Sequence, residues 1–137
     1  MQLSTLKSNI KTLLESTTGV TKWDTIQFSM LPSDAPKGYF QLNEITYGAM
    51  VSSDWLVGIG VASTSLSDLE SQVFTILEAI ENQFYYPNPC LAGGGIVNIQ
   101  DSIQVEIPDT YANQSGITAT DGFRTAITFM LTVKYSR

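Results

Sequence analysis

Residues 123–135 read Phe-Arg-Thr-Ala-Ile-Thr-Phe-Met-Leu-Thr-Val-Lys-Tyr. Every second side chain, from Phe123 through Ile127, Phe129, Leu131 and Val133 to Tyr135, is apolar, with Thr125 the break in the series. Arg124, Ala126, Thr128, Met130, Thr132 and Lys134 make up the alternate set. Side chains of an extended chain point to two sides in turn, so this period predicts a long strand with one buried face. Such a strand belongs in the middle or at the edge of a sheet. The rest of the chain has to supply its neighbours and its cover.

Working backwards, Ile96 to Ile107 alternates through Val97, Ile99, Ile103, Val105 and Ile107 and predicts another strand. A polar loop, Pro108 to Gly122, joins the two, and a glycine-rich connection, Cys90 to Gly95, precedes them. Ser67 to Phe84 carries Leu69, Val73, Ile76, Leu77, Ile80 and Phe84 at helical spacing. Ser67 with Glu70 fits a capping box at its start, and Pro87 and Pro89 end it. Asp68, Glu70, Glu78 and Glu81 fall mainly off the stripe, as a wet face requires.

Trp55 to Ala62 predicts a strand with Trp55, Val57, Ile59 and Val61 on one side and Leu56, Gly58, Gly60 and Ala62 on the other. Glycines inside a strand mark a close approach to the backbone. A helix packed on that side, or a neighbouring subunit, would account for them. Ser52-Ser53-Asp54 reads as a turn, and Tyr39 to Met50 as the strand before it. The change of parity between Leu42 and Ile45 predicts a bulge near Asn43. Pro32, Asp34, Pro36 and Gly38 mark a loop, and Thr25 to Met30 alternates as a short strand. Gln2 to Glu15 carries Leu3, Leu6, Ile10, Leu13 and Leu14 on one stripe, with Gly19 placed to cap the helix.

The order α-β-β-β-α-β-β, without repeated βαβ units, predicts one α+β domain over 1–137. It is a single layer of about five mostly antiparallel strands with two helices on one face.

Composition narrows the function classes. Of 137 residues, 43% are hydrophobic and 15% charged, so the surface must be rich in Ser, Thr, Asn, Gln and Gly, as suits a protein that meets neighbours. The net charge is −6 and the cations are scattered, which excludes a basic patch for nucleic acid. One cysteine and no histidine exclude an internal disulfide and a His/Cys zinc site. The first residues lack a secretory signal pattern, and no apolar run approaches a membrane span, so cytosolic synthesis is expected.

Chemical motifs fail one by one. Cys90 has no histidine to act as its base. Gly93 to Gly95 precede a strand, without the Lys-Ser/Thr that a phosphate loop carries. Asp101, Glu106 and Asp109 lie at mismatched parity for a cation. Tyr85 and Tyr86 read as aromatic caps on the core. The expectation is a protein that is not an enzyme and holds no cofactor or metal.

Several local patterns carry a resemblance. A short amphipathic helix opens the chain at Leu3 to Leu14. A proline-bearing loop leads to strands joined by Ser52-Ser53-Asp54-Trp55. A Ser/Asp-led helix, Ser67 onward, closes with Tyr86-Pro87. A polar loop then leads to the aromatic-alternating strand ending at Tyr135. In this order of elements the chain resembles the tail terminator proteins of long-tailed bacteriophages, the family typified by the lambda minor tail protein U. It departs from them in the Cys90 to Gly95 connection and in Gly58 and Gly60.

The resemblance implies a virion protein of the tail or neck, made in the host cytoplasm. It implies a homohexameric ring that caps the tail tube, stops its elongation and docks the head-side connector or stopper, with sheath as a further neighbour in a contractile tail. Genomic DNA would pass through without specific binding, and no membrane is involved. A neck or stopper protein, or a non-viral α+β binding module, are the alternative readings. Candidate interface residues are Gly58, Gly60, Tyr111, Ile117 and Arg124. Tyr111 and Ile117 stand out because they are awkward in a solvated loop. The 108–122 loop is therefore expected to be the arm that faces tube or connector, so that deleting 111–119 spares fold and ring but abolishes tail completion.

Overall fold

The computed structural model describes residues 2–24, 35–85, 94–100, 102–111 and 122–136, with the backbone alone for Asp24 and Tyr111. Its elements are α1 (Leu3–Thr18), β1 (Trp23–Asp24), β2 (Lys37–Tyr47), β3 (Met50–Ser63), α2 (Leu66–Ile80), β4 (Ile96–Ile99), β5 (Gln104–Val105), β6 (Asp109–Tyr111) and β7 (Gly122–Ser136). The fold is α+β: a mostly antiparallel sheet with two helices packed on it.

The long terminal strand is the axis of the sheet. β7 pairs with β3 from Met50 opposite Ser136 to Ser63 opposite Phe123. Its other edge takes β4, β5 and β6 in succession. β2 lies outside β3, and β1 adds a parallel edge through Trp23 opposite Gly38. The period-two reading of β7 holds: Ile127, Phe129, Leu131, Val133 and Tyr135 are buried. Thr125 is buried with them because its hydroxyl donates to the Glu106 carbonyl at 2.7 Å, which satisfies the one polar group on that face.

The core lies on this side of the sheet. Val57, Ile59 and Val61 of β3 meet Leu6, Ile10 and Leu14 of α1 and Leu69, Val73 and Ile80 of α2 in one cluster. Each fully buried aliphatic side chain contributes roughly 1.5–3 kcal/mol, and here one set serves both helices and sheet. Gly19 closes α1 with φ 75° and donates to the Glu15 carbonyl at 2.9 Å, as its position in sequence predicts.

Several expectations are corrected. Ser52-Ser53-Asp54 is not a turn but lies inside β3, and the chain reverses at Gly48-Ala49 instead. The polar triplet misleads because Ser53 faces the core and finds partners there, donating to the Val133 carbonyl at 3.3 Å. α2 starts at Leu66, capped by Ser65, whose hydroxyl accepts from the Asp68 N–H, and not by Ser67. The predicted strand 96–107 breaks. Ile99 faces Leu131 whereas Gln104 faces Thr128, so five steps on one side span three on the other. The extra residues form an outward kink, and the apolar alternation resumes in phase after it. The parity change near Asn43 is a register shift between Leu42 and Glu44, as read.

The 108–122 loop begins as a strand, β6, paired with Gly122, Phe123 and Arg124 of β7. The strand expected at Thr25 to Met30, with Tyr86, Cys90, Gly93, Asp101 and Ile117, lies outside the described residues.

Candidate functional site

The face of the sheet opposite the helices is uncovered among the described residues. Its rows follow from register: Tyr39, Gly58, Thr128 and Gln104 across one, Lys37, Gly60 and Ala126 across another, Leu56 beside Met130, and Asp54 beside Thr132. The Thr132 hydroxyl donates to Asp54 Oδ1 at 2.7 Å, tying β7 to β3 on this face. From Leu56 to Ala62 and from Ala126 to Thr132 the outward side chains carry no charge. Sheet surfaces that stay in water usually carry charge against association.

The helix expected over Gly58 and Gly60 is not there, because both helices lie on the other side. The ring that approaches Gly58 is Tyr39, from the adjacent strand: a Cβ on Gly58 would fall inside contact distance of the Tyr39 ring. A cross-strand aromatic covering a strand glycine restores the packing that glycine gives up. Gly58 is therefore filled from within the chain. Gly60 is half-buried between Lys37 and Ala126. Arg124 lies at the margin of the same face, its guanidinium 3.8 Å from the Asp109 carboxylate. Tyr111 pairs through its backbone with Gly122. Of the candidate residues, register brings Gly58 and Gly60 to one face with Arg124.

A second feature was not legible as a site. Between α2 and β5 runs a groove of about 250 Å³, lined by Leu66, Leu69, Val73, Phe74, Val105 and Pro108 among others, with Glu70 and Glu106 at its walls. Phe74 is the sequence signal for it, a large aromatic beside the apolar stripe of α2 and not in it. Val105 and Ile107 read as core residues but are exposed, because the kink after Ile99 carries β5 away from the layer beneath α2.

The start of α2, at the groove's end, is polar and tightly bonded. The Ser63 hydroxyl donates to Asp68 Oδ2 at 2.6 Å and the Gln72 amide donates to the same oxygen at 2.7 Å. These two bonds, Ser63's first, hold the Asp68 carboxyl below its ordinary value of 3.8. Among the described residues no three metal-ligating side chains converge, and no helix is long and apolar enough to cross a membrane.

No protein-family model matches this chain, and no curated protein matches it in sequence.

Proposed function

We propose that the chain is a structural subunit of a tailed bacteriophage, a tail terminator that closes into a six-membered ring on the end of the tail tube. The observation that carries this reading is the one-sided sheet. Strands of 14 and 15 residues, β3 and β7, present an outward face whose central rows carry no charge. A catalytic domain has little use for such a surface, whereas a ring subunit needs broad contacts above, below and beside it. The order of elements supports the same reading, since it follows the resemblance drawn from the sequence. The net charge of −6 suits a lumen through which DNA slides without sticking.

On this reading the partners are further copies of the chain, the tail tube protein and the head-side connector or stopper. The location is the virion. Negative-stain imaging of the purified protein, alone and with tail tubes, tests it. Six-membered rings, or caps confined to one tube end, are expected. No ring and no tube-end binding over a range of salt and Mg²⁺ overturns it, and leaves the binding-module reading, which the α2–β5 groove favours.

A further inference from the structure

The described charges are divided between two flanks of the molecule. Lys7, Lys11, Lys22 and Lys37 all belong to α1, the approach to β1 and the start of β2. On the opposite flank, α2 and the π-helical turn that follows it carry Asp68, Glu70, Glu78 and Glu81 and no Lys or Arg. Glu106 and Asp109 add to that side, with Arg124 beside Asp109. The sheet order separates the two: α1 lies toward β2, with the Lys7 ammonium 5.9 Å from the Phe40 ring centre, and the groove lies beyond β7 at β5.

Apolar surface is exposed on both flanks, unequally. Around the groove, Leu66 is 50% exposed, Phe74 53%, Val105 45% and Ile107 90%. On the basic flank, Leu3 is 42% exposed at the start of α1. Leu3, Lys7 and Lys11 follow one another at spacing i, i+4, i+8, so they form one stripe along the helix. The groove's 250 Å³ exceeds the roughly 150 Å³ cavity that holds one benzene, and so has room for an aliphatic side chain. Glu70 and Glu106 would then stand where lysines following that side chain arrive.

We propose that the groove between α2 and β5 is the socket for the α1 flank of a second copy of this chain, with Leu3 entering the groove and Lys7 and Lys11 facing Glu70 and Glu106. Donor and acceptor surfaces differ, so the contact is head-to-tail and each copy keeps one of each free for the next. Lys11 already lies 3.9 Å from Glu15 on its own helix, an exposed pair that is weak enough to be exchanged. The proposal rests on the reading of the chain as a self-assembling subunit and names the surfaces that assemble.

Paired charge reversal tests it. One variant carries Glu70→Lys with Glu106→Lys, and the other Lys7→Glu with Lys11→Glu. All four side chains are on the surface, and circular dichroism confirms that each variant folds. Sedimentation velocity is run on the wild type, on each variant and on an equimolar mixture. The wild type is expected to associate in a salt-sensitive way, and each variant alone to lose about tenfold or more in affinity, since like charges then meet. The mixture should regain association, because each variant's flank fits the other's groove in strict alternation.

Association of either variant alone at wild-type strength, or a mixture that stays dissociated, overturns the proposal. A wild type that remains monomeric at several hundred micromolar also overturns it and leaves the groove to a different protein. The ring reading fails separately. Wild-type rings that persist in both variants spare that reading and remove this contact. Complementing variants that build only open chains keep the contact and remove the ring.

Discussion

The indole Nε1 of Trp55 donates to the hydroxyl of Ser53 at 2.9 Å, two residues back along the same face of β3, and both side chains are buried. The same hydroxyl donates to the Val133 carbonyl of β7 at 3.3 Å, so one serine satisfies the tryptophan and joins two central strands. Ser53→Ala removes both functions and leaves a buried N–H without a partner. The expected loss is about 1–3 kcal/mol, read as a lower urea midpoint at unchanged slope. In a Trp55→Phe background, where that donor is gone, the same substitution should cost clearly less. Equal costs in the two backgrounds would show that the bond contributes nothing.

Tyr39 and Gly58 face each other across β2 and β3 on the uncovered side. Gly58→Val puts two methyl groups where the ring lies, and overpacking of this kind costs about 1–3 kcal/mol. Tyr39→Ala vacates the space, so the valine penalty should shrink in the double variant. A thermodynamic cycle on the four proteins gives the coupling directly. Additive effects would mean that the ring moves aside freely and that Gly58 is needed for some other reason.

What could be read from the sequence divides along the same lines. β7 was legible because its inner residues alternate without interruption and its one polar member, Thr125, has a local partner in Glu106. α1 was legible from its stripe and from Gly19. The turn at Ser52-Ser53-Asp54 was misread because composition counts hydroxyls as exposed, whereas Ser53 is bonded on both sides inside the core. The glycines on β3 correctly signalled a close approach, but the approaching group comes from Tyr39, and register across a bulge is not visible in a single strand. The groove was hidden for a related reason: Val105 and Ile107 keep the phase of core residues while a kink upstream carries them off the core.

Asp68 makes stability at the start of α2 depend on pH. Its folded-state value is lowered, so the ionised form is the one the fold prefers. The contribution is therefore present above the ordinary value of 3.8 and is lost as pH falls through the lower folded value. The carboxyl is exposed, so the effect is small and is screened by salt. Asp68→Asn should reduce stability at neutral pH, and the gap to the wild type should narrow as pH is lowered from about 5 toward 2. Thermal melts of the two proteins across that range check it. A gap that widens in acid would contradict the assigned direction.

Neighbouring residues of β7 should behave in opposite ways, because one lies on each face. Ile127 is fully buried among Ile59 and the helices, and Ile127→Ala is expected to cost about 2–5 kcal/mol with no specific effect on assembly beyond lost fold. Ala126 lies opposite Gly60 on the uncovered side, half-buried with room above it. Ala126→Glu should change stability by no more than about 0.5 kcal/mol, the range of surface substitutions. If that face meets a neighbour in the particle, the same charge should abolish rings or tube-end caps, because an unpaired carboxylate would be trapped in an apolar contact. Melting curves and images of the same two variants separate the cases. A folded Ala126→Glu protein that assembles normally would show that the uncovered face stays in water, and that assembly runs through the flanks alone.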